Sequence, residues 1–124
     1  MTDPKARILV AEDMEDSRRP LMLMLKLAGF ACLEADNGRN TIELALREKP
    51  DLILLDLSLP EVDGLEALRE LRASGADMPI IVVSGYDDDT TRDQAQQAGA
   101  NGYVTKPIDF EELKTLIAEQ LRLR

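Results

Sequence analysis

The sequence contains no histidine. This excludes a Ser-His-Asp triad, an imidazole metal ligand and a phosphohistidine donor within the chain. Any phosphoryl chemistry must therefore run through carboxylates, hydroxyls and lysine. The single cysteine, Cys32, rules out an internal disulfide. It is expected to be a small core residue, and a reducing compartment is compatible with it. Tryptophan is absent and aromatics make up only 3% of the residues, which leaves Leu, Ile, Val, Met and Ala to build the core. No stretch is apolar for long enough to span a bilayer. Met1 to Arg7 lacks the apolar region of a secretion signal. A cytoplasmic protein with no membrane contact is expected. Basic residues are scarce as well, with 15 Lys and Arg against 24 Asp and Glu, for a net charge of −9. Nucleic-acid surfaces need a basic stripe, and none is visible, so direct binding to nucleic acid is not expected.

The chain has 124 residues, 44% of them hydrophobic, which is too apolar for disorder and suits one domain. Short apolar runs alternate with helical patterns. Ile8 to Ala11 reads as a buried strand. Asp16 can cap a helix running to Ala28, with Gly29 as its stop and with Leu21, Met24, Leu25 and Ala28 facing inward. Ala31 to Glu34 is a weaker strand. The turn Asp36-Asn37-Gly38 precedes a helix whose Ile42, Ala45 and Leu46 share a face, ended by Lys49-Pro50. Leu52 to Leu55 is apolar on both sides, as in a central parallel strand covered by helices. After Pro60 and Gly64 comes a helix carrying Leu65, Leu68 and Leu71. Ile80 to Val83 is the fourth strand, Asp87 to Ala98 a polar helix stopped by Gly99, and Tyr103-Val104 the fifth strand. Asp109 with Glu112 starts a last helix, in which Leu113, Leu116, Ile117 and Leu121 are apolar. Five βα repeats imply an α/β fold with a parallel sheet and helices on both faces. The last helix runs to the end of the sequence, so a single domain over residues 1–124 without an output domain is expected.

Sites in such sheets lie at the carboxyl ends of the strands. Glu12 and Asp13 follow the first strand, Asp56 the third, Ser84 the fourth and Lys106 the fifth. The fold would bring these residues together. Clustered carboxylates repel one another unless a cation joins them. All-oxygen ligands favour Mg²⁺ or Mn²⁺. Lys106 and the Ser84 hydroxyl suit phosphoryl oxygens. Asp56 is then the natural nucleophile and would form an acyl phosphate. Taken singly, Asp13, Asp56 or Lys106 could simply cap a strand or a helix. Four strand ends with complementary chemistry are not explained that way.

With these residues in place, the chain resembles the CheY-like response-regulator receiver family of two-component signalling over essentially its whole length. The acidic pair Glu12-Asp13, the segment DLILLDLSLPEVDG (Asp51 to Gly64), IIVVSG (Ile80 to Gly85) and GYVTKP (Gly102 to Pro107) occur in the family's order. The resemblance implies a flavodoxin-like fold of strand order 2-1-3-4-5. It further implies Asp56 as phosphoacceptor, with Lys106 and Ser84 assisting, and a metal held by Glu12, Asp13, Asp56 and the carbonyl of Ser58. Ser84 and Tyr103 would be switch residues. The donor would be a sensor histidine kinase or a His phosphotransfer protein. A downstream protein partner would read the surface of the fourth helix, fifth strand and fifth helix. The domain would catalyse only its own phosphorylation and slow dephosphorylation.

Some positions depart from the common pattern. Ser58 stands where many relatives carry a larger residue, and Tyr86 sits two after Ser84; both bear on phosphate lifetime. The fourth helix offers only Thr91, Ala95 and Ala98 to a core, so it is expected to be loosely held. Pro20 removes one backbone N–H near the start of the first helix. Met22, Leu23 and Leu27 are left over on that helix, either as part of a broad buried face or as a docking patch for the donor, a role the resemblance suggests. Two other classes of function compete. A non-phosphorylated receiver-like scaffold would predict loss of at least one site group, and none is lost. A flavodoxin-like or dehalogenase-like enzyme fits less well: the acidic loop after strand one would repel a flavin phosphate, and Asp56-Leu57-Ser58 lacks a second Asp.

Overall fold

The isolated apolar runs Ile8 to Ala11, Leu52 to Leu55 and Ile80 to Val83 are too short for helices, and each forms a strand. The computed structural model describes residues 5–123, so the first four residues of the Met1–Arg7 segment lie outside it. In chain order the elements are β1 (Arg7–Ala11), α1 (Glu15–Leu27), β2 (Ala31–Ala35), α2 (Gly38–Glu48), β3 (Leu52–Asp56), α3 (Gly64–Ala73), β4 (Ile80–Ser84), α4 (Asp89–Gln97), β5 (Gly102–Thr105) and α5 (Phe110–Arg122). The sheet is parallel throughout, in the order β2-β1-β3-β4-β5. This is the expected flavodoxin-like arrangement.

Side chains alternate across each strand. Leu9, Ile53, Leu55, Ile80 and Val82 therefore pack on one face against Ala45, Leu68, Leu71 and Ala95 of α2, α3 and α4. Ile8, Val10, Leu52, Leu54, Ile81 and Val83 pack on the other against Leu21, Met22, Leu25, Leu113 and Ile117 of α1 and α5. Every residue of β3 and β4 is buried, as their unbroken apolar runs predict. The register sets Asp56 beside Val83 and Ser84 beside Thr105, so the strands end along one edge.

Local chemistry fixes most helix starts. Asn37, Asp63, Asp88 and Asp109 cap α2 to α5, each accepting from a backbone N–H of the first turn. Helix α1 corrects the sequence reading. Met14 stands at its N-cap without a side-chain cap, and Asp16 lies inside the first turn. Its buried stripe is Arg18, Leu21, Met22 and Leu25, while Met24 and Ala28 are exposed. The stripe is rotated toward Met22 because Arg18, one turn earlier, points inward to the Glu12 carbonyl. In α2 the buried residues are Gly38, Thr41 and Ala45, and Leu46 is exposed rather than inward. Gly38 sets that rotation. Its N–H donates to Pro60 O, and a Cβ there would stand 1.6 Å from Val62 O. Cys32 is half-buried, its thiol 3.8 Å from Met22 O, and burial pushes its pKa up. No helix among the described residues is long and apolar enough to cross a membrane.

Candidate functional site

The site begins where the β1 ladder runs out. Glu12 N donates to Ala35 O at 3.0 Å, and beyond this the chain leaves the sheet. Glu12 is buried and Asp13 exposed. The Glu12 carboxylate is held from two sides: Met14 N donates to Oε2 at 3.2 Å and Lys106 Nζ lies 2.9 Å from Oε1. Asp56, the last residue of β3, is buried; its Oδ1 accepts from Ser58 N at 2.8 Å and its Oδ2 from Lys106 Nζ at 2.6 Å. Gly64 allows this closeness. A Cβ there would come within 2.1 Å of Asp56 O, so any side chain would push α3 away from the strand end. Lys106 is located by its own N–H, which donates to Ser84 O at 2.8 Å.

Opposing effects act on the charged groups. Burial raises the Glu12 pKa, and the nearby Asp56 charge adds to this, while the bonds from Lys106 and Met14 pull it down; the net direction is up. Burial alone would lower the Lys106 pKa. Its hydrogen bonds to Asp56 and Glu12 outweigh burial and hold it above the ordinary lysine value. Glu12, Asp13 and Asp56 each offer an oxygen within 4.8 Å of the others. Three carboxylates against one ammonium leave the group net negative. With only oxygen donors present, this set fits a hard divalent cation, Mg²⁺ or Mn²⁺. A cleft of about 190 Å³ opens beside the carboxylates, walled by Val10, Leu21, Leu54, Val83 and Ile108.

The fold thus brings Glu12, Asp13, Asp56 and Lys106 together. Ser58 is exposed and meets Asp56 through its backbone N–H. Ser84 is buried, with its hydroxyl accepting from Tyr86 N at 3.0 Å. Tyr103 is half-buried. Its hydroxyl donates to Tyr86 O at 2.6 Å and its ring lies 4.5 Å beneath the Arg92 guanidinium. The leftover apolar residues of α1 divide: Met22 is buried against the sheet, as a broad buried face predicts, while Leu23 and Leu27 are exposed. The exposed set is Met14, Leu23, Met24 and Leu27. Sequence reasoning gave no role to Arg18, Gly64 or Arg92. Only Gly64 left a local trace, as the glycine after a capping Asp63. Arg18 acts on a backbone carbonyl six positions away, and Arg92 on Asp87 five positions away and on Thr105 thirteen away, contacts that apolar spacing does not register.

A family model described as the response regulator receiver domain matches residues 8–118. Protein PilH of Pseudomonas aeruginosa is 38% identical over 116 residues, covering 91% of this chain and 96% of that protein. Regulatory protein AtoC of Escherichia coli is 36% identical over 118 residues; these are 95% of this chain and only 26% of AtoC, so the chain spans about a quarter of that relative. The receiver domain of the sensor histidine kinase PA1611 of Pseudomonas aeruginosa, a crystal structure with a magnesium ion coordinated in the active-site cleft, has a TM-score of 0.88 and 31% identity, covering 95% of this chain and 98% of that one. A family match that runs from the first strand well into the last helix, on a fold whose acidic strand ends converge, makes this chain a member of the response regulator receiver domain family of two-component signalling.

Proposed function

We propose that the chain is a phosphorylation-dependent switch in which Asp56 accepts a phosphoryl group from a phosphohistidine on a sensor kinase or phosphotransfer protein. The observation that carries the reading is the Asp56 carboxylate, buried at the end of β3 and held from both sides by Lys106 Nζ and the Ser58 N–H. An Asp56 oxygen attacks the phosphorus, the P–N bond to the donor imidazole breaks, and the product is an acyl phosphate. Glu12, Asp13 and Asp56 would hold Mg²⁺ or Mn²⁺, together with the Ser58 carbonyl that the family resemblance implies. When bound, the ion offsets the negative charge of the transferred group. Lys106, shared between Glu12 and Asp56, is within reach of a phosphoryl oxygen attached to Asp56. The reaction is the domain's own phosphorylation and slow loss of phosphate; no other substrate is turned over.

The switch would run through Ser84 and Tyr103. Drawing the Ser84 hydroxyl toward a phosphoryl oxygen gives up its bond from Tyr86 N, and turning Tyr103 inward gives up its bond to Tyr86 O. Both residues thus share one loop residue, which couples them. A bias of a few kcal/mol between two existing states suffices. The altered α4-β5-α5 surface would be read by a protein partner in the cytoplasm. The net charge of −9 argues against that surface contacting nucleic acid itself.

Intact-mass spectrometry after incubation with a small phosphodonor and Mg²⁺ tests this. A gain of about 80 Da, lost in Asp56→Asn and without metal, is expected. Absence of that gain, with a control receiver modified under the same conditions, would shift the reading to a binding scaffold.

A further inference from the structure

Arg18 is a buried arginine on an otherwise apolar stripe. It sits in the first turns of α1, 8% exposed, in line with Leu21, Met22 and Leu25. A cation near a helix N-terminus opposes the helix dipole, and burying a guanidinium is costly. Its Nη1 donates to the backbone oxygen of Glu12 at 2.8 Å. Its Nε is buried without a hydrogen bond, and the nearest carboxylate, Glu34 Oε1, stands 3.5 Å away on a half-exposed side chain. The acceptor explains the placement. That oxygen belongs to the peptide joining Glu12 to Asp13, at the point where β1 leaves the sheet. The N–H of Glu12 still reaches Ala35 O, and Arg18 holds the carbonyl on the other side.

We propose that Arg18 is a positioning residue for the divalent-cation site: it fixes the Glu12–Asp13 peptide so that both carboxylates converge with Asp56. The inference rests on the metal reading above and assigns the pre-organisation of that site to a side chain that is not itself a ligand. Simple electrostatics predicts the opposite sign, because a cation beside the cluster repels a second cation. Removing Arg18 should tighten metal binding if charge is all it contributes, and weaken it if it positions the carboxylates.

The test is the Mg²⁺ dissociation constant of the whole chain by isothermal titration calorimetry, for the unaltered protein, Arg18→Met and Arg18→Lys. Met and Lys have similar length, but only Lys keeps a donor and a charge. Arg18→Met is expected to weaken Mg²⁺ binding by about 10-fold, the lower end for residues that orient ligands, while Arg18→Lys stays within about threefold of the unaltered protein. Equal or tighter binding in Arg18→Met overturns the proposal, and so does equal weakening in both variants. Failure of the unaltered protein to bind Mg²⁺ removes the metal reading instead, and this inference with it. Should Arg18→Met not fold, the unaltered protein still decides. Its Arg18 guanidinium N–H resonance must move during Mg²⁺ titration with the midpoint of the Asp13 amide; a guanidinium signal indifferent to saturating Mg²⁺ overturns the proposal.

Discussion

Helices α3 and α4 cover the same face of the sheet and are held there by different means. α3 buries Leu68 and Leu71 completely, with Ala67 beside them; α4 buries Ala95 alone. Each buried leucine is worth about 1.5–3 kcal/mol, and an alanine far less. α4 is located instead by polar contacts at its two ends. Beyond its C-terminus, the Arg72 guanidinium of α3 donates to Gly99 O at 2.9 Å, to Met78 O at 2.8 Å and to Asn101 Oδ1 at 2.8 Å. Asn101 Oδ1 also accepts from Ile80 N, which ties this clamp to β4. A Cβ at Gly99 would stand 2.7 Å from Arg72 Cγ, so glycine there keeps the clamp closed. The N-terminal contacts are more open to water. Asp88 caps Thr91, and Arg92 pairs with Asp87 at 2.6 Å, bonds Thr105 Oγ1 at 2.9 Å and covers the Tyr103 ring. A helix placed by buried leucines has one position. One placed by a clamp at one end and exposed pairs at the other can swing about the clamp when a few surface bonds change.

The sharpest way to break this comparison is mutational. Leu68→Ala should cost about 2–5 kcal/mol and Ala95→Gly only about 1 kcal/mol, read from urea unfolding midpoints. Equal costs would mean that α4 is packed as firmly as α3. Next in size is Arg72→Met. It leaves several half-buried carbonyls without their donor, so a loss of roughly 1–3 kcal/mol is expected, with faster amide exchange concentrated around residues 97–101. Hydrogen exchange on the unaltered protein follows: α4 amides should exchange well before those of α3, and protection equal to that of β3 would end the argument. Arg92→Ala should hardly move the unfolding midpoint, because its main partner is an exposed carboxylate. Its expected signature is local, a shift of the Tyr103 ring resonances. The smallest effect concerns pH. Bonding to Arg92, and then its charge, hold the Asp87 carboxyl below the ordinary value of 3.8. A depressed carboxyl contributes fully above 3.8, and that contribution fades only as pH falls through the folded-state value. Exchange of the first α4 turn, corrected for intrinsic rates, should therefore show no inflection between about pH 5 and 8; one in that window would point to another titrating group.

Legibility in the sequence followed the range of the interactions. The acidic pair, Asp56 and Lys106 could be singled out because each lies at the end of a strand, and in a parallel sheet strand ends share an edge. The α4 sequence, poor in large apolar residues, offered Thr91, Ala95 and Ala98 to the core, and of these three the fold buries only Ala95. The inward faces of α1 and α2 were misjudged. Counting apolar spacing favoured Met24, Ala28 and Leu46, which the fold exposes in favour of Met22 and Thr41. Apolar spacing fixes the width of a helical stripe but not its rotation, and that depends on what the helix start touches. For α1 it is Arg18 on the Glu12 carbonyl, and for α2 it is Gly38 against Val62.

The sequence by itself determined the five strands, the burial of the central ones, the alternating βα order and the identity of the residues at the strand ends. These depend on short runs of neighbouring residues, information that lies within one segment. Tertiary structure alone decided the rest. Lys106 bridges Glu12 and Asp56 across 94 and 50 positions of the chain, Arg72 reaches Gly99 across 27, and Tyr103 reaches the Tyr86 carbonyl across 17. Such partners are chosen by which backbone oxygens and carboxylates the packed sheet leaves unsatisfied at its edges, and those groups exist only after the strands have assembled.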